Sequence, residues 1–101
     1  MNADLKYGLT KRTISLIKNV FSKQKKIKKI ILYGSRAKGN FRNGSDIDLT
    51  LVADDMAFSE LSKIMTEIDD LMLPYKFDVS LFHQIEDVDF IDHIRRVGVE
   101  F

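Results

Sequence analysis

An α+β fold, with a small mixed β-sheet and helices packed on one of its faces in two layers, is the class this sequence predicts. Three short runs, residues 29–33, 46–53 and 75–82, are β-branched or alternate apolar with polar, the period of a strand. Two longer stretches, 9–22 and 58–71, repeat their apolar residues at three- and four-residue steps, the period of a helix. At 101 residues the chain can build one modest core, so a single domain with no appended substrate-binding domain is expected.

The elements follow in order. "LTKRTISLIKNVFS", residues 9–22, sets Ile14, Ile17, Val20 and Phe21 on one face, with Thr10 as N-cap. Lys29 to Tyr33 is a buried strand that stops at Gly34, followed by a loop or short helix. In "DIDLTLVA", 46–53, Ile47, Leu49 and Leu51 point one way and Asp46, Asp48 and Thr50 the other. Phe58, Leu61, Ile64, Met65, Ile68 and Leu71 mark a second long helix that ends before Pro74, with Met65 and Met72 read as core filler. "YKFDVSLF", 75–82, is a third strand carrying Asp78 and Ser80 opposite Phe77, Val79 and Leu81. Asp89 to Val97 is a short terminal helix with Ile91, Ile94 and Val97 on one stripe.

Composition narrows the function classes. Hydrophobic residues at 45% and charged residues at 31% describe a chain that folds. Without cysteine there is neither a disulfide nor a thiolate metal site. No apolar stretch approaches the roughly 20 residues of a membrane span, and "MNADLKYGLT" lacks the apolar core of a signal peptide, so a cytoplasmic protein with no membrane contact is expected. Asn43-Gly44-Ser45 matches a glycosylation sequon but reads here as a turn. Charge is lopsided: Lys18 to Arg42 holds nine Lys or Arg and no acid, whereas Asn43 to Asp92 holds thirteen Asp or Glu against Lys63 and Lys76. The lysines of "SKQKKIKK" read as a solvated helix end and turn; a nucleic-acid or partner patch is the alternative, and no interleaved aromatic supports base stacking.

The stretch "ILYGSRAKGNFRNGSDIDLTLV", 31–52, carries the chemistry. Residues two apart on a strand share a face with Cα atoms roughly 6.5 Å apart, so Asp46 and Asp48 reach toward one region. Two unneutralised carboxylates there repel, and each raises the other's proton affinity. A divalent cation resolves this, and Asp78 joins as a third hard oxygen donor if its strand is the neighbour, which suits Mg²⁺, or Mn²⁺, rather than zinc. Gly34 permits close backbone approach and Ser35, at a helix start, presents amide hydrogens and a hydroxyl to an anion, with Arg36, Lys38 and Arg42 adding positive charge. Gly34 to Gly39 has the glycine spacing of a P-loop, but Asn40-Phe41 replaces its Lys-Ser/Thr, and no G-x-G-x-x-G is present. His83 and His93 read as surface or part-buried side chains outside the site, and Tyr33 as core packing.

Gly34-Ser35, ten residues, then Asp46-Ile47-Asp48, with Asp78 on a later strand, resembles the signature of the DNA polymerase beta-like nucleotidyltransferase superfamily. "GSRAKGNFRNGSDIDL" is similar in particular to its smallest branch, the minimal nucleotidyltransferase (MNT) proteins. The resemblance implies the nucleotidyltransferase fold, ATP as substrate, and two Mg²⁺ ions about 3.5 to 4 Å apart, one bridging Asp46 and Asp48 to the triphosphate and one held with Asp78. It implies Asp46, Asp48 and Asp78 as catalytic residues and metal ligands, Asp78 as general base, and Gly34, Ser35, Arg36 and Lys38 as nucleotide-binding residues. It implies, too, an antitoxin that transfers AMP to a tyrosine of a helical partner of the HEPN class. Two other readings share the motif: an antitoxin that masks its partner by contact alone, and a transferase acting on a small-molecule or RNA hydroxyl.

Overall fold

The computed structural model describes residues 5–101. The elements run β1 (Leu5–Lys6), β2 (Leu9–Thr10), α1 (Lys11–Ser22), β3 (Lys29–Tyr33), α2 (Gly34–Lys38), β4 (Ile47–Val52), α3 (Phe58–Asp70), β5 (Phe77–Leu81), α4 (Val88–Val97) and β6 (Val99–Glu100). A 3₁₀ turn, Phe82–Gln84, follows β5. β1 and β2 form a separate hairpin; the main sheet is mixed, with order β5-β4-β3-β6. β3 pairs antiparallel with β4 and β6, and β4 pairs parallel with β5. No described helix is long and apolar enough to cross a membrane.

Strand alternation decides the layers. Leu32, Ile47, Leu49, Leu51 and Leu81 are buried on one face of the sheet, and Ile17, Val20 and Phe21 of α1 with Leu61, Ile64 and Ile68 of α3 complete the core there. Thr10 caps α1 as expected, its Oγ1 accepting from the Thr13 backbone N–H at 3.1 Å. At the start of α3 the Glu60 carboxylate accepts from the Ala57 N–H at 3.1 Å, doing the work that alanine cannot.

The other face is polar toward one end and partly covered. Ile31 and Tyr33 alternate with Leu32 and so point away from the main core, where α4 meets them: Tyr33 packs edge-on against Phe90 with ring centroids 5.3 Å apart. The long helices thus lie on one face as predicted, while the terminal helix crosses to the opposite one, because its Phe90, His93 and Ile94 need the apolar half of that second face.

Two core assignments fail. Phe58 is 67% exposed and Met72 is 86% exposed. Phe58 is the first residue of α3, before the helix has turned its stripe inward, and Met72 lies beyond the last turn at φ 56, where the chain swings away toward Pro74. Met56, in the turn before α3, is the buried methionine instead. The hairpin Leu5–Thr10 and the edge strand Val99–Glu100 are additions to the predicted order.

Candidate active site

The site is built by register. Across β3, β4 and β5 Tyr33 stands opposite Asp48, and Asp48 opposite Asp78, so one row on the polar face reads tyrosine, aspartate, aspartate. The next row reads Ile31, Thr50, Ser80, and the Ser80 hydroxyl donates to Thr50 Oγ1 at 2.9 Å. Thr50 is fully buried, and with Ser80 it forms a satisfied polar floor behind the carboxylates. Asp46 immediately precedes β4, two residues from Asp48, and is exposed. The pairing of β4 beside β5 brings Asp48 and Asp78 side by side, with Asp46 two residues before Asp48 at the head of β4.

Gly34 faces Asp48 directly. It lies at φ +74, in the left-handed region, and a Cβ there would stand 2.3 Å from Asp48 Oδ2 and 3.2 Å from Asp48 Cγ. Only a residue with no side chain allows both the turn from β3 into α2 and the seating of that carboxyl against the backbone. Ser35 follows, half-buried, at the start of the five-residue α2.

The electrostatics carry the strain of this grouping. Asp48 holds its proton more tightly than an ordinary aspartate, first because it is partly desolvated, then because Asp78 and Asp46 repel its charge, with Arg36 opposing. Burial, followed by the charges of Asp78 and Asp48, pushes the Tyr33 hydroxyl up to about 12, with a hydrogen bond to Ser80 opposing, so the phenol stays protonated beneath the aspartates at neutral pH. Tyr33 is buried, as expected, but on the sheet face opposite the main core, in the same row as Asp48; His93 meets its ring edge-on from α4.

Among the described residues no three His, Cys, Asp or Glu side chains are grouped closely enough to hold a metal ion by themselves, so Asp46, Asp48 and Asp78 do not form a ready-made three-carboxylate site. The donors present fit a different arrangement. Mg²⁺ dehydrates reluctantly and is commonly bound through one or two carboxylates, its other ligands being water and substrate phosphate. Mutually repelling hard oxygens on an open face meet that need, and a cation bound between them would relieve the repulsion felt by Asp48.

The basic residues divide. Lys38 and Arg42 are exposed, but Arg36 is turned inward, only 3% exposed. Its Nη1 donates to Tyr7 O at 2.8 Å, its Nε and Nη2 to Ser45 O at 3.1 and 2.9 Å, and its guanidinium lies over the rings of Tyr75 and Phe41 at 5.0 and 5.3 Å. These partners are all internal, and its position ties α2, which begins at Gly34, to Ser45, which precedes Asp46. Replacing it by alanine leaves two backbone carbonyls without their donors, at about 1 to 3 kcal/mol each. Arg36→Ala should therefore cost about 3 kcal/mol and lower Tm by roughly 10 to 20 °C in thermal unfolding followed by circular dichroism. Arg36→Lys should recover only part of this, since an ammonium cannot fork onto both carbonyls. An unchanged Tm in Arg36→Ala would contradict this role.

Comparison with known proteins places this geometry. The chain matches a complex described as a toxin-antitoxin with AMP-PNP at TM-score 0.69 and 18% identity, covering 87% of this chain and 70% of that one. It matches two variant complexes of the toxin-antitoxin MntA-HpeT at TM-scores 0.68 and 0.66 and identities of 19% and 15%, each covering 87% of this chain and 69% or 70% of the other. At such identities the likeness is one of fold. No curated protein matches the chain. The family described as "Polymerase beta, Nucleotidyltransferase" matches residues 15–101, from the first turns of α1 through both aspartate-bearing strands to β6. By that span the chain belongs to the polymerase beta nucleotidyltransferase family.

Proposed function

We propose that the protein is an antitoxin that transfers AMP from ATP to a tyrosine hydroxyl of a HEPN-type helical toxin. The observation that carries the reading is the row in which Asp48 stands beside Asp78, with Asp46 two residues away and the bare backbone of Gly34 against the Asp48 carboxyl. Membership of a nucleotidyltransferase family supports the reaction class, and the fold it shares with toxin-antitoxin complexes, one of them holding AMP-PNP, supports the nucleotide and the kind of partner. One MntA-HpeT variant replaces with glutamate two aspartates spaced as Asp46 and Asp48 are.

Asp46, Asp48 and Asp78 would hold divalent ions, Mg²⁺ or Mn²⁺, which when bound neutralise phosphate charge and lower the pKa of an acceptor hydroxyl. Asp46 and Asp48 orient the triphosphate, with Gly34 and Ser35 lining its approach. The acceptor oxygen attacks the α-phosphorus, the bond from that phosphorus to the oxygen of the β-phosphate breaks, and pyrophosphate leaves. The acceptor's proton passes to Asp78, the general base in this reading. AMP remains joined to the acceptor through a phosphodiester.

The test is to incubate the purified chain with Mg²⁺, ATP labelled in its α-phosphate, and the protein of the adjacent reading frame. Label on a tyrosine of that protein, lost on chelation, is the expected result. Normal binding of the neighbour with no label would favour masking by contact, and label appearing instead on an RNA 3′ end or a small-molecule hydroxyl would move the acceptor class.

A further inference from the structure

We propose that the groove between the end of α1, the turn that follows it and the start of β3 is the docking site for an acidic, partly apolar segment of the protein acceptor; this rests on the preceding reading, in which the acceptor is a protein. The groove has a volume of about 430 Å³, lies at the opposite end of β3 from Gly34, and is walled by none of the catalytic candidates. Its floor is aliphatic and aromatic, with Ile27 and Ile30 half-buried beside Phe101. Its rim carries Lys18, Lys25 and Lys29, all exposed.

What distinguishes these lysines is their lack of partners. Nearby lysines are neutralised: Lys23 pairs with Glu67, Lys26 with Glu60 at 2.9 Å, and Lys28 with Asp54. Among the described residues Lys18, Lys25 and Lys29 have no ion pair, and Glu100 is the single acid lining the groove. An excess of positive charge around an apolar floor fits a segment that alternates acids with apolar side chains, as in helix-in-groove recognition. Single-stranded RNA fits less well: its phosphates would meet the lysines, but its bases need exposed aromatic faces, and Phe101 is only 7% exposed.

The position makes the site useful to a transferase. From Lys29 to Tyr33 the strand advances four residues, about 13 Å, and Gly34 follows. A protein anchored at the groove leaves the aspartate row open and can still bring a hydroxyl from a neighbouring segment to it. Small-molecule acceptors have no use for such an anchor.

The experiment compares the wild-type chain with Lys18→Glu/Lys25→Glu/Lys29→Glu, using the protein of the adjacent reading frame and a fifteen-residue oligouridine as probes. Calorimetry should show MgATP binding unchanged in the variant, while affinity for the neighbouring protein falls about a hundredfold and loses most of its salt dependence. Unaltered affinity would overturn the groove assignment, as would oligouridine that binds the wild type and displaces the protein from it, or a wild type that binds no neighbour at all. Failure of the wild type to bind MgATP would instead overturn the nucleotidyltransferase reading, so the two fail separately. The three substitutions are on exposed side chains, and an unchanged Tm confirms that the variant is folded before affinities are compared.

Discussion

Asp48→Asn is expected to abolish AMP transfer, by at least about 10³-fold, while leaving Tm unchanged or higher. The loss corresponds to about 4 kcal/mol of transition-state stabilisation, the scale on which a metal-held phosphate contributes. The stability side follows from linkage. In the folded chain Asp48 holds its proton more tightly than in the unfolded one, through desolvation and the charges of Asp78 and Asp46. Folding is therefore favoured at pH values below its ordinary pKa, and that advantage is lost as pH rises through the raised value, so at neutral pH the ionised group opposes folding. Asparagine removes the charge and the penalty together. Thermal unfolding between pH 4 and 8 checks it: the wild type should gain on the variant as pH falls, and a variant Tm that collapsed at neutral pH would mark Asp48 as structural.

Gly34→Ala should be nearly as damaging to activity and should destabilise as well. At φ +74 an L-residue costs about 1 to 2 kcal/mol, and the added Cβ, 2.3 Å from Asp48 Oδ2, forces the carboxyl to turn away. A fall in Tm of about 5 to 10 °C and a loss of transfer of at least about a hundredfold are expected, from calorimetry and initial rates respectively. Calorimetric titration with MgATP separates the two effects. A variant folded at the assay temperature that binds MgATP as the wild type does would mean that the Asp48 carboxyl beside Gly34 is not where the nucleotide seats.

The faces on which the three aspartates stand were legible because their spacing is a strand property. Asp46 and Asp48 alternate with Ile47 and Leu49, which fixes their face, and Asp78 repeats the pattern between Phe77 and Val79. That β4 lies beside β5 in register, with Asp48 opposite Asp78, is a tertiary fact that no local period contains. Arg36 shows the complementary blind spot. Beside Gly34-Ser35 an arginine reads as a phosphate contact, but its partners are the carbonyls of Tyr7 and Ser45, backbone groups that every residue owns and no sequence pattern marks. The hairpin that supplies Tyr7 O was hidden for a related reason. Its turn places both Tyr7 and Gly8 at positive φ, 59 and 75, and tyrosine is not among the residues that usually signal such a turn. Phe58 and Met72 misled because a helical stripe in sequence can run past the turns that the sheet covers.

The measurement that tests the central claim most directly is anomalous diffraction from a crystal of this chain grown with Mn²⁺ and a nonhydrolysable ATP analogue. Manganese peaks bonded to carboxylate oxygens of Asp46, Asp48 and Asp78 are expected, with the triphosphate running past Gly34 and Ser35. Manganese and nucleotide found elsewhere, with those three side chains making no contact to either, would contradict it.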